Sequence, residues 1–183
     1  KKMEKITKKK IYKNIYELNI NLGKNESIKN IKENYIFNGR SVSAICFNRE
    51  LKLFYFIRQF RPNYFFNKLK VKPLEIVAGG IEINETSRQA IIREIKEELG
   101  VKVVSLRKID SLIVAPDCLE EITDIYFAEV PIIKNFEINN PKEGEYIKII
   151  PLKKNEVLQL IKNNRTQNLV TKYALLKIKE IMI

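Results

Sequence analysis

Glu94, Glu97 and Glu98 are spaced i, i+3, i+4, which on a helix sets three carboxylates on one face. Like charges at that spacing destabilise an isolated helix by about a few tenths of a kcal/mol per pair. The lysine inside the run, Lys96, falls off the stripe and does not relieve it. Ile92, Ile95 and Leu99 form the expected core seam on the other side, and Ala90 and Ile91 partly cover the acidic side one turn earlier. A partly covered triple carboxylate calls for a cation, and hard oxygen ligands at this density suit Mg²⁺, with Mn²⁺ as a substitute, better than zinc.

An isolated Glu-Ile-Lys-Glu-Glu is often no more than a solvated charged surface; here the flanking residues decide. Gly79-Gly80 lets backbone approach a ligand or a metal closely. Glu85 and Arg93 lie eight residues apart, about two turns, so they pair along one side and Arg93 sets the orientation of the acidic face. The chain has no histidine. That excludes Ser-His-Asp and Cys-His nucleophilic machinery and histidine-based zinc sites. Acid–base chemistry is left to carboxylates, Lys, Tyr or a metal-bound water.

The elements that must position these groups follow from local pattern. Asn84 or Thr86 caps the acidic helix and Gly100 stops it. Before it, residues 1–10 read as a loose basic terminus, Ile11–Ile20 as one strand and Tyr35–Asn38 as a short strand. Arg40–Asn48 and Leu51–Phe60 are apolar runs joined at Asn48-Arg49-Glu50, a hairpin signal. Pro62–Lys72 reads as a loop, and Leu74–Val77 as a strand ending at Ala78-Gly79-Gly80. After it come strand material at Val101–Val114, a strand at Ile122–Val130, a loop at Pro131–Glu143 and a strand at Glu145–Pro151. Two closing helices, Asn155–Asn163 and Gln167–Met182, present Leu169, Tyr173, Leu176 and Ile183 to the core. The sum is an α/β arrangement, a mixed sheet with helices packed on it.

The run from Gly79 to Val101 reads GGIEINETSRQAIIREIKEELGV. It resembles the Nudix box at every specified position: Gly79, Glu85, Arg93, Glu94, Ile95, Glu97, Glu98, Gly100 and Val101. The resemblance implies the Nudix α/β/α sandwich with a mixed sheet. It implies hydrolysis of a nucleoside diphosphate linked to another moiety, with Glu94, Glu97, Glu98 and the main-chain carbonyl of Ala78 ligating divalent ions. Arg93, Glu97 and Glu98 then belong to the catalytic group. Beyond the box, Arg58-Gln59-Phe60-Arg61-Pro62 and Glu75-Ile76-Val77-Ala78-Gly79-Gly80 look like stretches of the ADP-ribose and nucleotide-sugar pyrophosphatases. So does Pro116, fifteen residues after Val101, with Glu120 and Glu121 following. The usual glycine after that proline is Asp117 here. The resemblance implies substrate contacts from Arg61, Glu75, Gly80, Pro116 and Glu121. It also implies an acidic loop, Glu143-Gly144-Glu145, that closes over substrate and supplies a base from Glu143 or Glu145. Tyr64, Phe65 and Phe66 offer an aromatic wall for a base or ribose, or simply pack a loop.

At 183 residues, with 45% hydrophobic and 31% charged residues, the chain reads as one soluble domain with a small appendage. The expected division is an N-terminal β segment over 1–38, serving dimerisation, and a Nudix domain over 39–183. No apolar run is long enough to cross a bilayer. No signal peptide is evident, so a cytoplasmic location is expected. The two cysteines have no metal or redox spacing, and Cys46 reads as a small core residue. The net charge of +12 raises the question of nucleic acid, but the lysines are scattered, so dedicated nucleic-acid binding is not expected. The expected partner is a small nucleotide-sugar substrate of ADP-ribose or UDP-glucose type, and the expected assembly a homodimer. The alternatives are a hydrolase of dinucleoside polyphosphates or nucleoside triphosphates, and a non-catalytic nucleotide- or RNA-binding module. The retained box glutamates speak against the last.

Overall fold

The computed structural model describes residues 5–21, 30–61, 64, 73–140, 145–163 and 167–182. Its elements in chain order are β1 (Lys5–Tyr12), β2 (Ile15–Asn21), β3 (Asn30–Asn48), β4 (Leu53–Arg58), β5 (Val77–Gly80), α1 (Ser87–Leu99), β6 (Ser105–Ile113), β7 (Leu119–Glu129), β8 (Glu137–Asn140), β9 (Glu145–Lys153), α2 (Lys154–Lys162) and α3 (Leu169–Met182). The chain divides into two compact units, one of residues 1–40 with 113–122, the other of residues 41–112 with 123–183.

In the first unit β1 pairs antiparallel with β2, and β2 with the first part of β3. Two expectations change here. Residues 5–10 are strand rather than loose terminus, and Ile11–Ile20 is broken by a turn at Lys13-Asn14, where Lys13 takes φ 41°. A positive φ at lysine is uncommon, and nothing local announces the turn. Tyr35–Asn38 is not a separate strand but part of the long β3. Tyr16 stacks on Tyr35 and meets Phe37 edge-on. The Lys8 ammonium lies 4.3 to 5.1 Å from all three rings. Glu120, 3.4 Å away, completes its neutralisation.

In the second unit β3 pairs with β5 through Ser41–Ala44 and with β4 through Cys46–Asn48. β9 joins β4, and β8 joins β9. β7 pairs with both β3 and β6. The β3–β4 hairpin falls where the sequence predicts it, closed by Leu51 N–H donating to Asn48 Oδ1 at 2.8 Å. The loop expected at 131–143 contains β8, which pairs Glu137–Asn140 with Glu145–Lys148.

Alternation along the strands gives this sheet two apolar faces. One carries Val42, Ala44, Ile57, Val77, Tyr126 and Ile149 against Ala90, Ile91, Ile95 and Leu99 of α1. The other carries Ile45, Phe54, Phe56 and Ile125 against Val157 of α2 and Ala174, Leu175 and Ile178 of α3. This is the helix–sheet–helix sandwich the resemblance implies. Cys46 is fully buried in it. Two helix faces are rotated from expectation. On α1 the seam holds Ile91, while Ile92 is 39% exposed; on α3, Leu169 and Leu176 are exposed and Ala174, Leu175 and Ile178 are buried. In both helices neighbouring apolar residues offer two stripes, and packing selects one of them. Ile183 lies outside the described residues.

A buried polar cluster locks the start of α1 to the sheet. Asp124 of β7 is 1% exposed. It accepts from Ser111 Oγ at 2.6 Å and pairs with Lys108 at 2.9 Å. Ser87, the first residue of α1, also meets the Tyr126 hydroxyl. Burial works to raise the Asp124 pKa, but bonds from Ser111, Lys108 and Ser87 outweigh it and bring the group to about 2. A carboxyl held below its unfolded value stabilises the fold above that value, and the stabilisation is lost as pH falls through the folded pKa. The window is therefore from about pH 4 down to about 2. Asp124→Asn should lower unfolding stability at pH 7 by about 2 kcal/mol and flatten the fall in stability across that window. Equal pH profiles in denaturant titrations of the two proteins would show that Asp124 does not carry this term.

Candidate active site

β5 runs into the loop 81–86, and α1 packs against β5, so the acidic face of the helix meets the backbone at Ala78-Gly79-Gly80. Local chemistry fixes both helix ends. Thr86 is the N-cap and forms a capping box with Gln89. Gly100 ends the helix at φ 70°, the left-handed conformation that glycine adopts most cheaply, with its N–H donating to Lys96 O.

Glu94 and Glu98 are buried, at 9% and 3% exposure, while Glu97 is at the surface. Ala78 N–H donates to Glu98 Oε2 at 3.2 Å. A Cβ at Gly79 would lie 1.9 Å from Glu94 Oε1, so any larger residue there would displace the Glu94 carboxylate. Arg93 sits at the centre of the cluster. Its Nε and Nη2 reach the two oxygens of Glu85, each at 3.0 Å. Nη2 also donates to Gly80 O at 2.8 Å. Nη1 donates to Glu94 Oε1 at 2.7 Å and to Glu97 Oε2 at 3.0 Å. These contacts hold the guanidinium pKa above its ordinary value, Glu85 contributing most, and the Glu85 carboxyl is lowered by the same pairing. Glu85 is tied in turn to the loop by Glu82 N–H at 3.0 Å.

These groups surround a cavity of about 370 Å³ lined by Ala78, Gly79, Gly80, Arg93, Glu94, Glu97 and Glu98, with Arg61 from beyond β4 at its wall. Arg61 donates from Nε and Nη2 to a single oxygen, Glu75 Oε2, at 3.2 and 3.0 Å. Burial works against its charge, and the Glu75 carboxylate more than restores it. The cavity thus brings together the predicted Arg61, Ala78, Gly80, Arg93, Glu94, Glu97 and Glu98, with Glu75 behind Arg61.

Pro116 and Glu121 belong to the first unit, where they line an apolar cavity of about 810 Å³ together with Leu18, Tyr35 and Leu119. Glu143, Phe65 and Phe66 lie outside the described residues, and of Glu145 only the backbone, at the start of β9, is described. Tyr64 is described, and its hydroxyl accepts from Asn168 Nδ2 at 3.4 Å. Sequence reasoning missed Glu82, which reaches Arg93 at 4.0 Å, and Gln59, which is buried at 4% exposure. Gln59 lies inside the quoted Arg-Gln-Phe-Arg-Pro run, and only its position in the fold marks it.

The donor set has the chemistry of a hard divalent ion: carboxylates one turn apart, two of them buried, against a backbone stripped of side chain at Gly79. Among the described residues no three acids stand in a ready-made coordination group. Arg93 Nη1 engages Glu94 and Glu97, the carboxylates that with Glu98 would hold such an ion.

The chain is similar to several known proteins. A GDP-mannose pyrophosphatase of Citrobacter koseri is 25% identical over 145 residues, covering 79% of this chain and 76% of that protein. One from Yersinia enterocolitica is 27% identical over 143 residues, 78% and 74% of the two chains. A methanol dehydrogenase activator of Bacillus methanolicus is 29% identical over 125 residues, 68% of this chain and 64% of that one. Among solved structures, an ADP compounds hydrolase superposes with a TM-score of 0.75 at 16% identity, covering 100% of this chain and 96% of that chain, and so shares the fold. The NUDIX domain model matches residues 37–171, a span that holds the sheet of the second unit, the capped acidic helix and the Arg93 cluster together, and the chain therefore belongs to the Nudix family of pyrophosphohydrolases.

Proposed function

We propose that this protein hydrolyses the diphosphate bond of a nucleoside-diphosphate sugar, releasing a nucleoside monophosphate and a sugar phosphate, with Mg²⁺ as the natural ion and Mn²⁺ as a substitute. The observation that carries this reading is the cavity at which Glu94, Glu97 and Glu98 face Arg61. The Ala78 carbonyl and the three glutamates are assigned as the groups that hold the ion. When bound, the ion neutralises the diphosphate and activates a water for in-line attack. Arg61 meets the phosphates, since Glu75 occupies only part of its donor fork. Arg93 orients the helix carboxylates. Glu143 or Glu145 takes the proton of the attacking water. Pro116 and Glu121 are assigned to the substrate through the same family pattern. The pyrophosphatase relatives support a diphosphate sugar as substrate and add GDP-mannose to the ADP-ribose and UDP-glucose that the sequence suggests.

Glu98→Gln removes a buried charge and almost no volume. Turnover should fall at least about a hundredfold, the scale of losing a strong electrostatic contribution to the transition state, with the circular dichroism spectrum unchanged. A folded Glu98→Gln protein with near-normal turnover at saturating Mg²⁺ would remove the metal assignment.

Substrate class is read from kcat/KM over ADP-ribose, UDP-glucose, GDP-mannose, dinucleoside polyphosphates and nucleoside triphosphates. A diphosphate sugar should lead the panel. If a triphosphate or a dinucleoside polyphosphate led every diphosphate sugar by more than about tenfold, roughly 1.4 kcal/mol in transition-state binding, the diphosphate-sugar reading would be wrong within a correct family.

We further propose a homodimer. In the first unit Ile11 and Tyr12 are 52% and 61% exposed, and Ile36 and Phe37 each 42%. Exposed apolar side chains of this kind commonly mark a contact surface, and closed two-fold pairing is the commonest assembly. Light scattering at micromolar concentration should give twice the chain mass; a monomer mass would overturn the proposal.

A further inference from the structure

Two polar atoms beside Arg61, one on a residue two positions before it and one on its ion-pair partner, have no hydrogen-bond partner although water does not reach them: Gln59 Nε2 and Glu75 Oε1. Their residues are 4% and 3% exposed. A folded protein rarely leaves a buried donor or acceptor unpaired, because the desolvation is then not recovered. A third such atom, Arg58 Nε, belongs to the neighbouring residue, and strand alternation sends its side chain to the opposite face.

Backbone register places Gln59 and Glu75 together. Ile57 and Glu75 exchange both of their backbone hydrogen bonds, at 2.8 and 2.9 Å, so their side chains leave the same face of the sheet. Gln59, two residues beyond Ile57, joins that face as a diagonal neighbour within reach of a long side chain. It is the α1 face, since Ile57 packs in the core beneath that helix. The second oxygen of Glu75 holds Arg61, whose half-exposed side chain also lines the catalytic cavity. Arg61 therefore links the cavity to Glu75.

The pair defines the group it would take. Gln59 Nε2 offers a donor and Glu75 Oε1 an acceptor, and one group that accepts the first and donates to the second is a hydroxyl. We propose that Gln59 and Glu75 form a subsite for one hydroxyl of the substrate, on a sugar ring next to the diphosphate. The proposal rests on the diphosphate-sugar reading above. Arg61 keeps Glu75 Oε2 while the rest of its donor fork meets the phosphates, and the hydroxyl binds the other oxygen, Oε1, with Gln59 closing the far side. Both the nucleoside ribose and the terminal sugar present hydroxyls with this chemistry, and single-deoxy analogues of each tell them apart. A site built to pair a hydroxyl discriminates strongly against an analogue that lacks it, because its own buried groups then go unpaired.

The test uses the best diphosphate sugar and a set of analogues each lacking one ribose or sugar hydroxyl, with the wild-type protein and with Gln59→Met, which keeps side-chain length and removes the donor. One analogue should lose at least about tenfold in kcat/KM with the wild type. Gln59→Met should lose a similar factor on the parent substrate and no longer distinguish it from that analogue. The wild-type comparison stands even if Gln59→Met folds poorly. Wild-type rates within about twofold across all single-deoxy analogues would mean that water, not substrate, fills the pair, and the subsite would be wrong. A Gln59→Met loss equal on every analogue would also overturn it. In either case the diphosphate-sugar reading survives; if no diphosphate sugar is turned over, both fall together.

Discussion

The arrangement of this site depends on how one guanidinium compensates the carboxylates gathered around it. Glu94 and Glu98 are buried, Glu97 joins them on the same helix face, and Glu85 approaches from the loop. Uncompensated, that density of negative charge would disfavour both the helix and its burial. Arg93 resolves it because a guanidinium is a fork: Nε and Nη2 engage Glu85, while Nη1 turns to the helix carboxylates. A lysine ammonium at this position would satisfy one side or the other. The same fork ties the loop carbonyl of Gly80 to the helix, so the charge balance and the geometry of the loop have one cause.

Arg61 is placed differently. Where Arg93 is committed on every side, Arg61 is bound to one oxygen of one carboxylate and remains partly exposed at the cavity. The two cations thereby divide the work, one holding the acidic scaffold in register and the other available to an incoming anion. Glu75 makes this possible, since a buried carboxylate keeps Arg61 charged and aimed without consuming its whole donor fork.

The helix and its cluster were legible because every signal is local. The cap at Thr86, the stop at Gly100, the acidic spacing and the Glu85–Arg93 pairing all fall inside one run of residues 79–101. The β3–β4 hairpin was legible for the same reason. What escaped depends on distance or on packing. The turn at Lys13 has no glycine to announce it, and β8, with sequence EINN, is made a strand by pairing with β9 rather than by its own composition. The buried stripe of α1 runs through Ile91 instead of Ile92 because the sheet, not the helix, selects it. Asp124 takes its partners from β6, and Gln59 and Glu75 are neighbours only through the pairing of Ile57 with Glu75. No spacing rule within one element reaches such contacts.

The charge of the whole chain opposes the charge of its site. A net charge of +12 draws polyphosphates toward the molecule, yet the cavity proposed for the substrate is walled by Glu94, Glu97 and Glu98. Attraction at long range is then followed by repulsion at contact, unless the carboxylates are neutralised by something other than the substrate. Arg93 performs part of that neutralisation, but its donors already belong to Glu85 and Gly80, and its remaining nitrogen cannot serve Glu94, Glu97 and a phosphate at once. A divalent cation held by Glu94, Glu97 and Glu98 would reverse the sign of the local field. In the proposed function the acidic helix face then admits an anion only in company with a cation, so the donor set and a diphosphate substrate belong to one proposal rather than two.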